Sequence, residues 1–167
     1  CEYYGRTDVD DALDDYALQG GMSGSYLYKN PLQRFKYIAD VFRTLVMRGI
    51  VQRHNVRNKV MLDKIGDFML DNVSNITSAR SVANALGSGG SAPNHKTAGA
   101  YIGYLCDTFA LYRIRRYDIR GKKYLASGEK YYLADHSFKY ALLGTRDMDW
   151  GRAYENIVAI ELLRRGY

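Results

Sequence analysis

Residues 77–135 read TSARSVANALGSGGSAPNHKTAGAYIGYLCDTFALYRIRRYDIRGKKYLASGEKYYLAD, and this stretch decides the fold. Thr77 and Ser78 precede Ala79, Val82, Ala83 and Leu86, a capped helix start followed by apolar residues at i, i+3, i+4 and i+7. The run GSGGSAP over 87–93 breaks any helix. Asn94 can cap a second helix, in which Ala98, Tyr101, Ile102, Leu105 and Phe109 again keep a 3.6-residue period. Residues 111–119 then alternate as a strand, Arg120, Gly121, Lys122 and Lys123 signal a turn, and a returning strand is expected over 130–134. Two short helices followed by a basic hairpin is the order of a winged helix-turn-helix.

Outward from this unit the pattern is helical. A helix is expected around Val9, Ala12, Leu13, Tyr16 and Ala17, with Asp8, Asp10 and Asp11 at the end where the helix dipole favours acids and Gly20 and Gly21 as its stop. Asn30 and Pro31 open a longer helix with Leu32, Phe35, Ala39, Phe42 and Val46 on one face, running to about Arg48, where Gly49 weakens it. A third spans 57–72, with Met61, Ile65, Phe68 and Met69 inward. Residues 138–143 give a turn or two of helix. A final helix starts at Asp149 with Trp150, Ala153, Tyr154, Ile157, Val158 and Leu162 as its apolar side. The expected fold is mainly α with a small β-hairpin: a helical part over 1–76, the winged helix-turn-helix over 77–135, and a C-terminal segment over 136–167.

Of 167 residues, 47% are apolar and 25% charged, enough to bury a core without metal or disulfide support. Cys1 and Cys106 fit no metal-ligand spacing, and Cys106 reads as a reduced core thiol. No apolar run reaches the length of a membrane span and no signal peptide opens the sequence, so a cytoplasmic location without membrane partners is expected. The net charge of +6 is uneven. Residues 1–20 hold six acids and one base, a net −5, which leaves +11 on the other 147 residues. Such an excess suits a polyanionic partner.

Within residues 77–135 the groups suited to DNA fall in two places. Asn94, His95, Lys96 and Thr97 open the second helix and offer amide, imidazole, ammonium and hydroxyl groups beside free helix N–H donors. Arg113, Arg115, Arg116, Arg120, Lys122 and Lys123 put six bases within eleven residues of the hairpin, where they would grip phosphates. Plainer readings stand beside both: Asn94 as a simple cap, His95 and Lys96 as solvated surface, and the hairpin arginines as guards of an exposed strand edge. The glycine-rich connection also exceeds the three or four residues of a tight helix-turn-helix. In the last helix, Glu155 and Glu161 fall close to the apolar side and call for partners, with Arg152, Arg164 and Arg165 within reach.

The pieces K-Y-Y-L-A-D at 130–135 and E-N-x-V-x-x-E-L-x-R-R-G-Y at 155–167 resemble the C-terminal region of a family of bacterial and archaeal AAA+ superfamily ATPases. Gly20, Gly21 and Met22, the 48–50 region, and the helix with Tyr101, Ile102, Tyr104 and Leu105 leading to Arg116, Tyr117 and Asp118 agree with it. The sequence departs from the family at Gly49, where an aspartate is usual, and at Ser23, where proline is frequent. The resemblance implies a fragment of a longer protein, in which an ATPase core precedes a winged-helix region and a nuclease-like domain, here cut short after its first residues. ATP and magnesium would belong to that core, because no G-x-x-x-x-G-K-[ST] motif occurs in this chain. Glu155 and Glu161 are the positions that could match the nuclease fold's helical acid, and one carboxylate cannot hold a magnesium ion by itself.

The leading expectation is thus a non-catalytic DNA-binding region with no cofactor or metal of its own. The alternatives are a module that packs on the ATPase core or assembles as a homo-oligomer, and a fragment of a metal-dependent nuclease.

Overall fold

Asn30 accepts a hydrogen bond from Leu32 N at 2.8 Å and Pro31 takes the first helical position, so the chain's longest helical run starts where its sequence asks it to. The computed structural model describes residues 7–87, 93–115, 128–145 and 148–167. Helix α1 is Val9–Gln19, followed by a 3-10 turn at Ser23–Leu27. Helix α2, Pro31–Val41, continues into a π-helical stretch at Phe42–Arg48 and then into α3, Gly49–His54. Gly49 does not stop the run. The wider turns bring Phe42, Val46, Met47 and Ile50 to the same buried side, and that burial outweighs the roughly 1 kcal/mol that glycine costs.

Helix α4, Lys59–Asp71, is capped by Asn58 and buries Met61, Leu62, Ile65, Met69 and Leu70. A two-residue strand β1, Ile76–Thr77, follows; nothing in so short a segment signals a strand in the sequence. Helix α5, Ala79–Leu86, begins with a reciprocal capping box between Ser78 and Ser81. Helix α6, His95–Asp107, is capped by Asn94. Strands β2, Leu111–Ile114, and β3, Glu129–Leu133, pair antiparallel with Tyr112 opposite Tyr132. Strand β1 adds to the other edge of β3 through Ile76 opposite Lys130, giving the sheet order β1-β3-β2. Helices α7, Ser137–Leu143, and α8, Trp150–Arg164, complete the chain. The protein is mainly α with a small three-stranded antiparallel sheet.

One apolar core joins Ile38 and Phe42 of the long run, Leu62 and Ile65 of α4, Val82 of α5, Ile102 and Leu105 of α6, Leu133 of β3 and Phe138 of α7. The segments 1–76, 77–135 and 136–167 therefore meet in a shared interior. Helix α6 packs on α3, α4 and α5. At the first of these contacts the His54 ring stacks on Tyr104 with centroids 3.7 Å apart and planes 11° from parallel.

Helix α8 meets the sheet with only part of the side its apolar positions predict. Ala153 and Asn156 are buried, while Trp150, Tyr154, Val158 and Leu162 are exposed. The reason lies in β3. Ala134 N donates to Ala110 O, so the peptide groups on this side of the register face β2, and those of Tyr131 and Leu133 face the opposite edge. There Ser74 N donates to Tyr131 O at 3.0 Å. The Asn156 amide serves Leu133, with Oδ1 accepting from Leu133 N at 2.7 Å and Nδ2 donating to Leu133 O at 3.0 Å. A side chain completes the edge that β1 is too short to cover.

Candidate nucleic-acid interface

Asn94 Oδ1 accepts from Thr97 N at 2.8 Å, so Asn94 is committed to capping. His95 and Lys96 are exposed, and neither has a side-chain partner among the described residues. Thr97 is half-buried. Helix α6 lies against α5, and its 13 residues, about 20 Å at 1.5 Å per residue, separate these groups from the first residue of β2.

The hairpin is less free than its composition suggests. Arg113 and Arg115 lie on one face of β2 and share a carboxylate across the sheet. Arg115 Nε donates to Glu129 Oε1 at 3.3 Å, and Arg113 Nη1 stands 3.9 Å from Glu129 Oε2. Tyr131 Oη donates to the same Glu129 Oε2 at 2.7 Å. Burial, and then that hydrogen bond, push the Tyr131 phenol well above its ordinary range. Glu129 thus holds two of the six arginines and lysines expected to meet phosphate. The other four, Arg116, Arg120, Lys122 and Lys123, lie outside the described residues, as does most of the 87–93 connection. At the hairpin base a hollow of about 260 Å³ is lined by Ile76, Ile114, Gly128, Arg115 and Lys130.

Cys106 is a half-buried free thiol whose pKa burial pushes up to about 11, with Arg113 opposing in part. It is held as the unreactive thiol.

The outer face of the sheet carries a second polar cluster. Lys130 Nζ donates to Glu155 Oε1 at 2.6 Å and Tyr132 Oη donates to the same oxygen at 2.8 Å. Glu155 therefore finds its partners on β3 rather than at Arg152, which pairs with Asp149 at 2.9 Å. The expectation for Glu161 holds, since Arg164 and Arg165 both donate to it at 2.7 Å. Sequence reasoning had no access to the Lys130 contact because it depends on how α8 lies across the strand. Burial raises the Tyr132 phenol to about 12, helped by its bond to Glu155. For Glu155 burial alone would raise the pKa, but the hydrogen bonds from Lys130 and Tyr132 outweigh it and hold the carboxyl below its ordinary value.

A folded-state pKa that is lowered adds stability above the unfolded value, and that stability is lost as pH falls through the folded value. The Lys130 and Glu155 side chains are 38% and 41% exposed, so screening limits the pair to about 1 kcal/mol at most. Glu155→Gln is expected to cost about 0.5–1 kcal/mol at pH 7 and to flatten the acid limb of urea-unfolding stability measured from about pH 5 down to pH 3. An unchanged acid slope would remove this pair from the account.

A groove of about 450 Å³, which the sequence did not announce, runs beside the π-helical stretch, between Phe42, Arg43 and Met47 on one side and Asp63, Gly66 and Asp67 on the other. Burial, and then the neighbouring Asp63, raise the Asp67 pKa, while Arg43 opposes both. Among the described residues no three His, Cys, Asp or Glu side chains are grouped to hold a metal ion. No helix of the described residues is long and apolar enough to cross a membrane.

A family model described as a domain of unknown function, DUF8612, matches residues 10–149. An uncharacterized protein of Haemophilus influenzae is 31% identical over 159 residues, covering 95% of this chain and 40% of its own length. An uncharacterized protein of Methanocaldococcus jannaschii is 22% identical over 155 residues, covering 93% of this chain and 34% of its own. The chain spans less than half the length of these curated relatives. No solved structure matches it.

Proposed function

Since the chain belongs to the family described as a domain of unknown function, DUF8612, and that description assigns no chemistry, we propose from its own residues that the unit from α4 to β3 is a non-catalytic, winged-helix DNA-binding module. The observation that carries the reading is the order helix, short strand, helix, helix, strand, strand, together with the sheet order β1-β3-β2. In this arrangement α6 is the reading helix and the β2–β3 hairpin is the wing. Lys96 and His95, exposed at the start of α6 and without a side-chain partner among the described residues, and the +11 charge of residues 21–167 support it.

Within the proposal the parent protein is a cytoplasmic AAA+ ATPase. The module would be one part of it, with ATP and magnesium held elsewhere. The greater length of the relatives leaves room for such a core.

Titration of the chain into labelled duplex DNA tests the module. Binding is expected in the micromolar range at about 50 mM salt and should weaken steeply as salt rises. Lys96→Glu should cost about tenfold and lower the salt slope by about one or more. Glu129→Gln frees Arg113 and Arg115 from their shared carboxylate and should tighten binding about three- to tenfold, the reverse of what a purely structural ion pair would give. Absence of binding at low salt by a chain that circular dichroism shows to be folded would overturn the proposal.

A further inference from the structure

Helix α8 exposes a continuous apolar ridge at a spacing of four residues: Trp150 is 41% exposed, Tyr154 38%, Val158 56% and Leu162 46%. We propose that this ridge is where a second copy of the chain docks, making a two-fold dimer through α8. The reading is independent of the DNA proposal, which concerns α4 to β3.

Three observations carry it. First, all four ridge side chains stay more than a third exposed although α8 is already fixed to the sheet by the other side, through Ala153 and the Asn156 clasp on Leu133. Second, the charges of α8 are already satisfied within one copy. Arg152 pairs with Asp149, Glu155 with Lys130, and Glu161 with both Arg164 and Arg165, so covering the ridge strands no carboxylate. Depletion of free charge around an apolar strip is the composition of an interface centre.

Third, rows of side chains at i±4 are self-complementary. Two such rows interdigitate when the helices cross at about −50°, and an antiparallel two-fold crossing centred between Tyr154 and Val158 sets Trp150 of each copy against Leu162 of the other. The helix dipoles then run in opposite directions, which is the favourable sense.

The area agrees with a weak dimer. Four side chains exposed to this degree, with Tyr167 and the stems of Arg164 and Arg165 at the margin, offer on the order of 500 Å² per copy. About 1,000 Å² in total is the low end for a specific interface and corresponds to a dissociation constant on the order of 10–100 µM.

Trp150 is the chain's one tryptophan, so its emission reports on the ridge directly. Sedimentation velocity from about 1 µM to about 1 mM is expected to show a monomer–dimer equilibrium in that range, with Trp150 emission moving to shorter wavelength as dimer forms. Val158→Lys and Leu162→Lys alter exposed positions and should leave the fold intact by circular dichroism while weakening association at least tenfold each. A chain that stays monomeric across the range overturns the proposal and gives the ridge to another occupant, such as further polypeptide of a longer protein. A dimer that both lysine variants leave unchanged overturns it equally, because its interface lies elsewhere.

Discussion

Asn156→Leu is expected to lower unfolding stability by about 3 kcal/mol, although it places a side chain of similar size and greater hydrophobicity in a site that is 1% exposed. Hydrophobic reasoning alone predicts a gain. The loss follows because Leu133 N–H and C=O face away from β2, are buried, and have the Asn156 amide as their partner. Each group left unsatisfied costs about 1–3 kcal/mol. Asn156→Asp separates hydrogen bonding from packing. It keeps the shape and the acceptor but sets a carboxylate oxygen against Leu133 O, so it should be at least as harmful as leucine at neutral pH. Urea unfolding of the two variants against the parent chain decides the matter, and a loss below about 1 kcal/mol for leucine would mean that water or backbone movement satisfies the strand edge.

Gly20→Ala should cost about as much, for a different reason. Gly20 sits at φ +78° and ψ −176°, a region open to almost no residue but glycine. Its neighbours leave no room either: a Cβ would collide with Asp135 Oδ1 and lie 2.5 Å from Ser137 Cβ and Oγ. Those contacts belong to a junction that ties α1 to the end of β3. The Asp135 carboxylate accepts from Gly21 N at 2.8 Å, Ser137 N at 2.9 Å and Ser137 Oγ at 2.6 Å. The buried His136 donates through Nε2 to the carbonyls of Tyr16 and Ala17, at 2.9 and 3.0 Å, which fixes the tautomer.

Strain and overlap together set the expected loss at about 3 kcal/mol, a fall in Tm of about 10 °C for a chain of this size. If α1 detaches instead of the whole chain unfolding, amide exchange will rise in Val9–Gln19 while α4 and α6 stay protected. Unchanged melting and unchanged exchange would contradict the described backbone at Gly20.

This junction also brings together two sequence pieces that lie far apart in the chain. G-G-M at 20–22 and K-Y-Y-L-A-D at 130–135 are 110 residues apart in sequence, yet Gly20, Gly21 and Asp135 touch. Their meeting is an architectural one, and it assigns the motifs a holding role for α1.

Local chemistry was legible in the sequence wherever a helix start is decided by its own residues. Asn30, Ser78, Asn94 and Asp149 each cap the helix their sequence marks. Features set by how distant elements cross were not legible. Strand β1 is too short to show an alternation, and Ile76 becomes a strand because Lys130 lies beside it. The inward side of α8 was legible only in part: Ala153 is buried as its spacing asks, but the same spacing also selects the exposed Trp150, Tyr154, Val158 and Leu162, whereas an unsatisfied strand edge selects the polar Asn156. At the candidate interface the capping of α6 by Asn94 could be read from its own residues. The hold of Glu129 on Arg113 and Arg115 required the cross-strand register, which places Glu129 next to Lys130, the partner of Ile114.

The Asn156 clasp has a further consequence during synthesis. Leu133 is made 23 residues before the side chain that closes its edge. At about 5–20 residues per second, a ribosome needs about one to five seconds to cover that interval. Through it, the nascent chain carries a tyrosine-rich strand whose edge stays open at the Leu133 N–H and C=O, the kind of edge that pairs with neighbouring chains on a polysome. Newly made copies stalled or terminated before residue 156 are therefore the species most prone to aggregate, and emergence of α8 is the event that ends the hazard.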